Sequence, residues 1–310
     1  MSAKQVARAI ADLREAAAEA AWTQWSAIST VAASRRAARS IVDPEALSLV
    51  SMALRDHEPR LWSAVVTWAQ SGARLLSVQR AKNLVRLFPA PVRERLAEFA
   101  VLAMREGGDR RWRSFGGSPR PTAAPLAQSR PKKGVPLLAG GAALMLRLRL
   151  GLGVGIKPDV LAYLIGNAGR PSPVVPIARA TGYQGRAVRR ALEELAAAGF
   201  LESRPRTPVA YRVDNAKWAG LLEFEPQQPP PWHEWAVLYA LAAALDEWSR
   251  DLPQSELVLA SEARDLVGAH LRAFDGVPGV PTLDKYRGGA YIAPFAQAIE
   301  ACAAFMAQAV

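Results

Sequence analysis

The chain has 310 residues, half of them hydrophobic and 22% charged, and a single cysteine. That length accommodates two or three packed units, and the composition is that of a soluble globular protein, which excludes a fibrous or low-complexity chain. The formal net charge is +11, and one cysteine excludes an internal disulfide, as suits a reducing compartment.

The charge is unevenly placed. Residues 1–156 hold 24 Lys and Arg against 11 Asp and Glu, and residues 157–213 hold 9 against 4. Residues 214–310 reverse the balance, with 6 against 13. Two basic parts and one acidic part imply a polyanion-attracting surface joined to something different. The N-terminus is charged throughout and lacks a signal-peptide core, and the most apolar run, residues 134–146, is too short for a bilayer. A cytoplasmic protein with no membrane partner is expected.

Alanine is abundant and β-branched residues are thin, so the expected fold is mainly α. A helical domain is expected over 1–106. Trp22 and Trp25 read as core anchors. Asp43, Pro44 and Glu45 read as an N-cap, an N1 proline and an acidic first turn, with Leu47, Val50 and Leu54 on one face. After Pro59, the residues Leu61, Val65 and Trp68 repeat the spacing, and Gly72 closes that helix. Ser77 opens a third helix with Val78, Ala81, Leu84 and Val85 inward and Arg80, Lys82 and Arg86 outward. A basic third helix fits a bundle with a solvated edge, the reading adopted, or a second helix-turn-helix.

Residues 107–137 read as a basic linker rich in Gly, Pro and Arg, whose Lys132 and Lys133 are candidates for phosphate contact. Residues 144–153, "LMLRLRLGLG", alternate as a strand would, but their leucine content and alanine-rich lead-in favour a helix. A helix with Val160, Leu161 and Leu164 inward follows, then a short one over 172–182 that turns at Gly182. The next helix, 184–198, carries Val188, Leu192 and Leu195 at i, i+4 and i+7, leaving Arg186, Arg189 and Arg190 outside its core face. "FLESR" and "VAYRV" then alternate as a hairpin whose turn, 204–208, contains Arg204 and Arg206. A second, proline-rich linker is expected over 215–231, and an acidic helical domain for dimerisation or partner binding over 232–310.

Helix, short helix, longer helix and hairpin, with the marks "IARATGY", "AVRRALEELAAAGFLES" and "RPRTPVAYRV", resemble the winged helix-turn-helix of bacterial transcriptional regulators. The resemblance spans roughly 157–213, within a domain taken as 138–214. It implies a central winged helix-turn-helix with a small β-hairpin, between the helical N-terminal and helical C-terminal domains that periodicity predicts. It also implies a regulator of double-stranded DNA, a repressor acting as a homodimer. Gln184, Arg186, Arg189 and Arg190 would enter the major groove, and Arg204 and Arg206 would form the wing. One departure stands out: Gln184 and Gly185 occupy the place where Ser or Thr commonly caps the recognition helix. Over its longer course, from "WTQWSAIS" and "DPEALSLV" to "ASEARDL" and "GGAYIAPF", the chain is similar to bacterial proteins found beside nucleotidyltransferase-type toxins. That similarity implies an antitoxin or defence-linked repressor with such a toxin as a protein partner. The rival expectation is a protein-binding antitoxin or defence-system assembly factor acting through its helical domains, whose acidic third block masks a basic partner, and a third is RNA binding.

Chemistry is not expected. His57, His233 and His270 lack metal-ligand spacing, and "GLGVG" at 151–155 would need a third glycine where Ile156 stands. Cys302 lies in an apolar helical run and reads as a small hydrophobe. No cofactor and no metal are expected, and an enzyme is not.

Overall fold

The computed structural model describes residues 3–30, 32–115, 136–204 and 207–310. Among them the chain is mainly helical, with one small three-stranded antiparallel sheet.

The first helices are α1 (Ala3–Ile28), α2 (Pro44–Ala53), α3 (Pro59–Ser71), α4 (Val78–Leu84) and α5 (Ala90–Arg105). Asp43 caps α2 by accepting from the Ala46 amide at 3.0 Å, with Pro44 at the first helical position. Every residue of α2 is buried, not only the expected face, because helices surround it. Trp25 lies in the core, donates to Ser51 Oγ at 2.9 Å and meets Trp68 edge-on with ring centroids 5.4 Å apart. Trp22 is only partly buried, beneath the Arg60 guanidinium. The expected linker begins later than 107: Asp109 caps a 3-10 turn, Arg110–Ser114, whose Trp112 is buried against Phe99.

Next come α6 (Leu144–Leu152), α7 (Ile156–Gly166), strand β1 (Ser172–Pro173), α8 (Val174–Thr181), α9 (Gly185–Ala197), β2 (Glu202–Arg204), β3 (Ala210–Arg212) and α10 (Asn215–Leu222). They enclose a second core of Leu144, Met145, Leu148, Val160, Leu161, Leu164, Ile177, Val188, Leu192 and Tyr211. The sheet order is β1-β3-β2, with Ser172 opposite Tyr211 and Glu202 opposite Arg212. Residues 215–231 are more than a linker. They contain α10, and the prolines after it form an extended strap: the Pro231 carbonyl accepts from the Ile41 amide at 3.0 Å, and the Trp232 amide donates to Gly166 at 3.1 Å. A Cβ on Gly166 would lie 2.7 Å from the Trp232 nitrogen, so this approach requires glycine.

The chain ends with α11 (Trp235–Trp248), α12 (Glu256–Ala269) and α13 (Ile292–Ala309). These match the three helical stretches read from the sequence, but they are not a separate unit. Their buried residues belong to the same core as α1 to α5. The principal contact of α13 is α1, so its apolar face (Phe295, Ile299, Cys302 and Met306) is buried in protein. Asp246 of α11 accepts from Arg14 of α1 at 3.3 Å and lies 3.2 Å from His57 Nε2. First and third blocks, remote in sequence, fold around each other.

Removing residues 232–310 therefore strips α1 of two of its main partners, α13 and α11. We expect the truncated chain to lose cooperative thermal unfolding and to bind a hydrophobic dye. A native-like transition in the truncated chain would show instead that the first block folds alone.

Candidate nucleic-acid interface

α9 buries Val188, Ala191, Leu192 and Leu195 and turns Gln184, Arg186, Arg189 and Arg190 to solvent. Gln184 is the N-cap, with extended backbone, and its side chain makes no capping hydrogen bond. The first amides of α9 are thus left without a side-chain cap. Arg190 Nε donates to Glu194 Oε1 at 2.9 Å, and Lys157 of α7 holds the other Glu194 oxygen at 2.9 Å. Arg190 is accordingly drawn along the helix and partly neutralised. Arg186 and Arg189 have no ion pair or hydrogen bond among the described residues.

On the hairpin, Arg204 is half-buried at the end of β2, opposite Ala210. Arg212, not singled out from sequence, pairs across the strands with Glu202 at 2.7 Å. Arg206, Lys132 and Lys133 lie outside the described residues. The structure brings Gln184, Arg186, Arg189 and Arg190 onto one exposed surface and leaves Arg204 on a separate edge.

What holds α9 in place was missed from sequence. Arg80, expected outward, is fully buried. It shares a face of α4 with Leu84, four residues on, and its guanidinium forms two hydrogen bonds with the Asp43 carboxylate. It also meets Glu45 at 2.8 Å and donates from Nε to the Thr181 carbonyl at 2.7 Å. Arg149 is buried too, bidentate to Asp159 at 2.7 and 2.8 Å and to Glu45 at 2.6 and 2.9 Å. On a helix, residues two apart point roughly 200° apart. Arg147 therefore leaves α6 on the other side and donates to the terminal carbonyls of α10. Tyr183, just before α9, donates to Asp159 at 2.8 Å and lies 3.0 Å from Ser77 Oγ. Asn83 donates to the Gly182 carbonyl at 2.9 Å. Gly182 adopts the left-handed conformation that turns α8 into α9, and its α-carbon side is open to Leu84 only because it has no Cβ.

The cluster contains two guanidiniums and three carboxylates. Burial pushes the Glu45 carboxyl up, but Arg149, Arg80 and the Ser77 amide outweigh it and hold it at about 2. Burial pushes Asp159 up as well, and Arg149 offsets this incompletely while Glu45 adds to it. The excess negative charge therefore falls on Asp159, which has one guanidinium where Glu45 has two. One signal was visible in the sequence: acids at Asp43 and Glu45 at the start of a helix otherwise without charge. A cap explains Asp43 and leaves Glu45 without a partner.

Elsewhere among the described residues, no group of three His, Cys, Asp or Glu side chains converges as a metal site would. Residues 153–155 form the turn between α6 and α7, with Gly153 at positive φ.

Arg149→Met leaves Glu45 and Asp159 facing each other without their shared cation. We expect a loss of about 3–5 kcal/mol in urea unfolding, typical of a broken buried pair. The depressed Glu45 carboxyl gives stability that is present above its ordinary value of 4.5 and is lost as pH falls towards about 2. Asp159 works in the opposite sense, its ionisation opposing the fold as pH rises. Glu45→Gln should therefore shallow the acid limb of the stability profile below pH 4.5. An acid limb identical to wild type would exclude Glu45 as its source.

Compared with known proteins, the chain matches no family model, no curated protein and no solved structure.

Proposed function

We propose that the protein binds double-stranded DNA as a transcriptional regulator, with α7, β1, α8, α9 and the β2–β3 hairpin serving as a winged helix-turn-helix. The observation that carries this reading is the pair Arg186 and Arg189, exposed in the first two turns of α9 with no acidic partner among the described residues.

Their placement costs the isolated helix stability. The N-terminal end of a helix carries partial positive charge, so acids belong there and bases at the other end. α9 has the reverse, with arginines first and Glu193 and Glu194 in its second half. An anion at the start of α9 relieves both the arginine repulsion and the uncapped amides. Duplex DNA supplies phosphates for that end, together with guanine O6 and N7 for a bidentate guanidinium. The α8–α9 turn is held by Arg80, Asn83 and Tyr183, which gives the helix the fixed orientation that base reading needs. Arg204 ends β2, on the hairpin that serves as the wing and meets phosphate.

One such surface per chain buries too little for tight, specific binding, so the operator is read by a homodimer across two half-sites. Light scattering on the free and DNA-bound protein checks this, and a monomer in both states would reject it.

The decisive measurement compares Arg189→Ala with wild type on a selected duplex and on a scrambled one. Loss of a base-reading arginine costs about 1–3 kcal/mol on the selected site and relaxes preference at one base pair. Arg206→Ala weakens both duplexes nearly equally, because phosphate carries no sequence. Equal losses on both duplexes for Arg189→Ala would mean that α9 does not read bases. Tighter binding of structured RNA of equal length would reassign the partner.

A further inference from the structure

α4 is joined to the segment that opens α9 by contacts with three consecutive residues. Arg80 Nε donates to the Thr181 carbonyl at 2.7 Å, Asn83 donates to the Gly182 carbonyl at 2.9 Å, and Ser77 Oγ lies 3.0 Å from the Tyr183 hydroxyl. The next residue is Gln184, the N-cap of α9. The solvent side of α4 is thus fixed beside the start of α9, although the two belong to different cores.

That side is basic. Gln79 is exposed and donates to Asn83 Oδ1 at 3.1 Å, and Arg86 is exposed in the 3-10 turn that continues α4. Lys82 places its ammonium 5.4 Å from the Phe115 ring centre, which brings the turn Arg110–Ser114 against α4. Arg111 anchors that turn by donating to the Arg74 carbonyl at 2.9 Å, and Asp109 neutralises Arg111 at 2.6 Å. Arg74, Arg86, Arg110 and Arg113 are left exposed, with no carboxylate partner among the described residues. The nearby Glu106 accepts from Gln70.

We infer that α4 and the Arg110–Ser114 turn form a second nucleic-acid contact surface, which holds the phosphate backbone of the duplex beside the part read by α9. This inference rests on the DNA-binding reading above and extends it to the helical body. A helix that enters the major groove has a sugar–phosphate backbone on each side of it. The element locked beside its first turn meets one of them, and the four exposed, unpaired guanidiniums supply the complementary charge. The contact is independent of sequence. It adds affinity and register, and base preference stays with α9.

The test uses the full-length protein in three forms: wild type, the triple variant Arg86→Ala, Arg110→Ala, Arg113→Ala, and Arg189→Ala. Each is titrated with selected and scrambled duplexes over a range of salt. Neutralising three phosphate contacts lowers the slope of log K against log salt by about 2 to 3. The triple variant is expected to show that change, with equal weakening on both duplexes and unchanged base preference. All three substituted side chains are exposed, and a thermal transition matching wild type verifies the fold. Replacing the same three residues by lysine restores the slope, as retained charge requires. A wild-type slope and affinity in the triple variant, while Arg189→Ala loses preference, would overturn the second surface and leave the reading helix standing. Failure of the wild type to bind either duplex would overturn both.

Discussion

Everything about the placement of α9 depends on two arginines that are not on it. Arg80 and Arg149 lie between Asp43, Glu45 and Asp159 with almost no solvent exposure. Between them these five residues come from the start of α2, from α4, from α6 and from α7. Burying so many charges carries a large desolvation cost, and well-packed apolar replacements are often as stable. Orientation is the more specific return. Apolar surfaces slide with little penalty, whereas a bidentate guanidinium–carboxylate pair in low dielectric has one good geometry. The cluster sets one core against the other at one angle, and Tyr183 carries that angle to the first turn of α9.

α6 shows how this coupling is built into a single helix. Leu144, Met145 and Leu148 pack into the second core, while Leu146 packs into the first. Arg149 enters the cluster and Arg147 satisfies the carbonyl end of α10. The Leu/Arg alternation that suggests a strand is therefore a helix with apolar contacts on two sides and cations on the others. Period alone does not separate these cases when a helix is buried between two bodies.

Periodicity and turn chemistry made α8, α9 and the hairpin legible, because α8 and α9 bury one face each and are followed by turns at Gly182 and Gly199. The exposed arginines of α9 followed from the same pattern. The inward turn of Arg80 and Arg149 did not, since their partners are up to 104 residues away and nothing local marks them. The same holds for α1 and α13, which meet from opposite ends of the chain. Prolines misled in another way. A run of them excludes helix, but residues 229–231 are a packed strap, and the loss of amide donors suits an extended segment that needs only its carbonyls. Part of the acidity of the third block is met within the molecule, where Asp246 faces Arg14 and His57, and Glu234 holds Arg272 at 2.5 Å.

Arg80 also resolves a problem that helix ends pose in general. The last carbonyls of a helix lack partners and carry partial negative charge, and the first amides carry the opposite. Asp43 answers the amides of α2, but a buried carboxylate then needs a cation. The Thr181 carbonyl at the end of α8 needs a donor. One guanidinium meets both demands, with its Nη atoms on Asp43 and its Nε on Thr181. The cap of a helix in the body is thereby linked to the end of the helix that precedes α9. Any rotation of α8 away from α4 separates that guanidinium from a helix end and leaves its buried Nε–H and the Thr181 carbonyl without partners. The body and α9 accordingly move as one unit, so the basic side of α4 keeps a constant distance from the exposed arginines of α9.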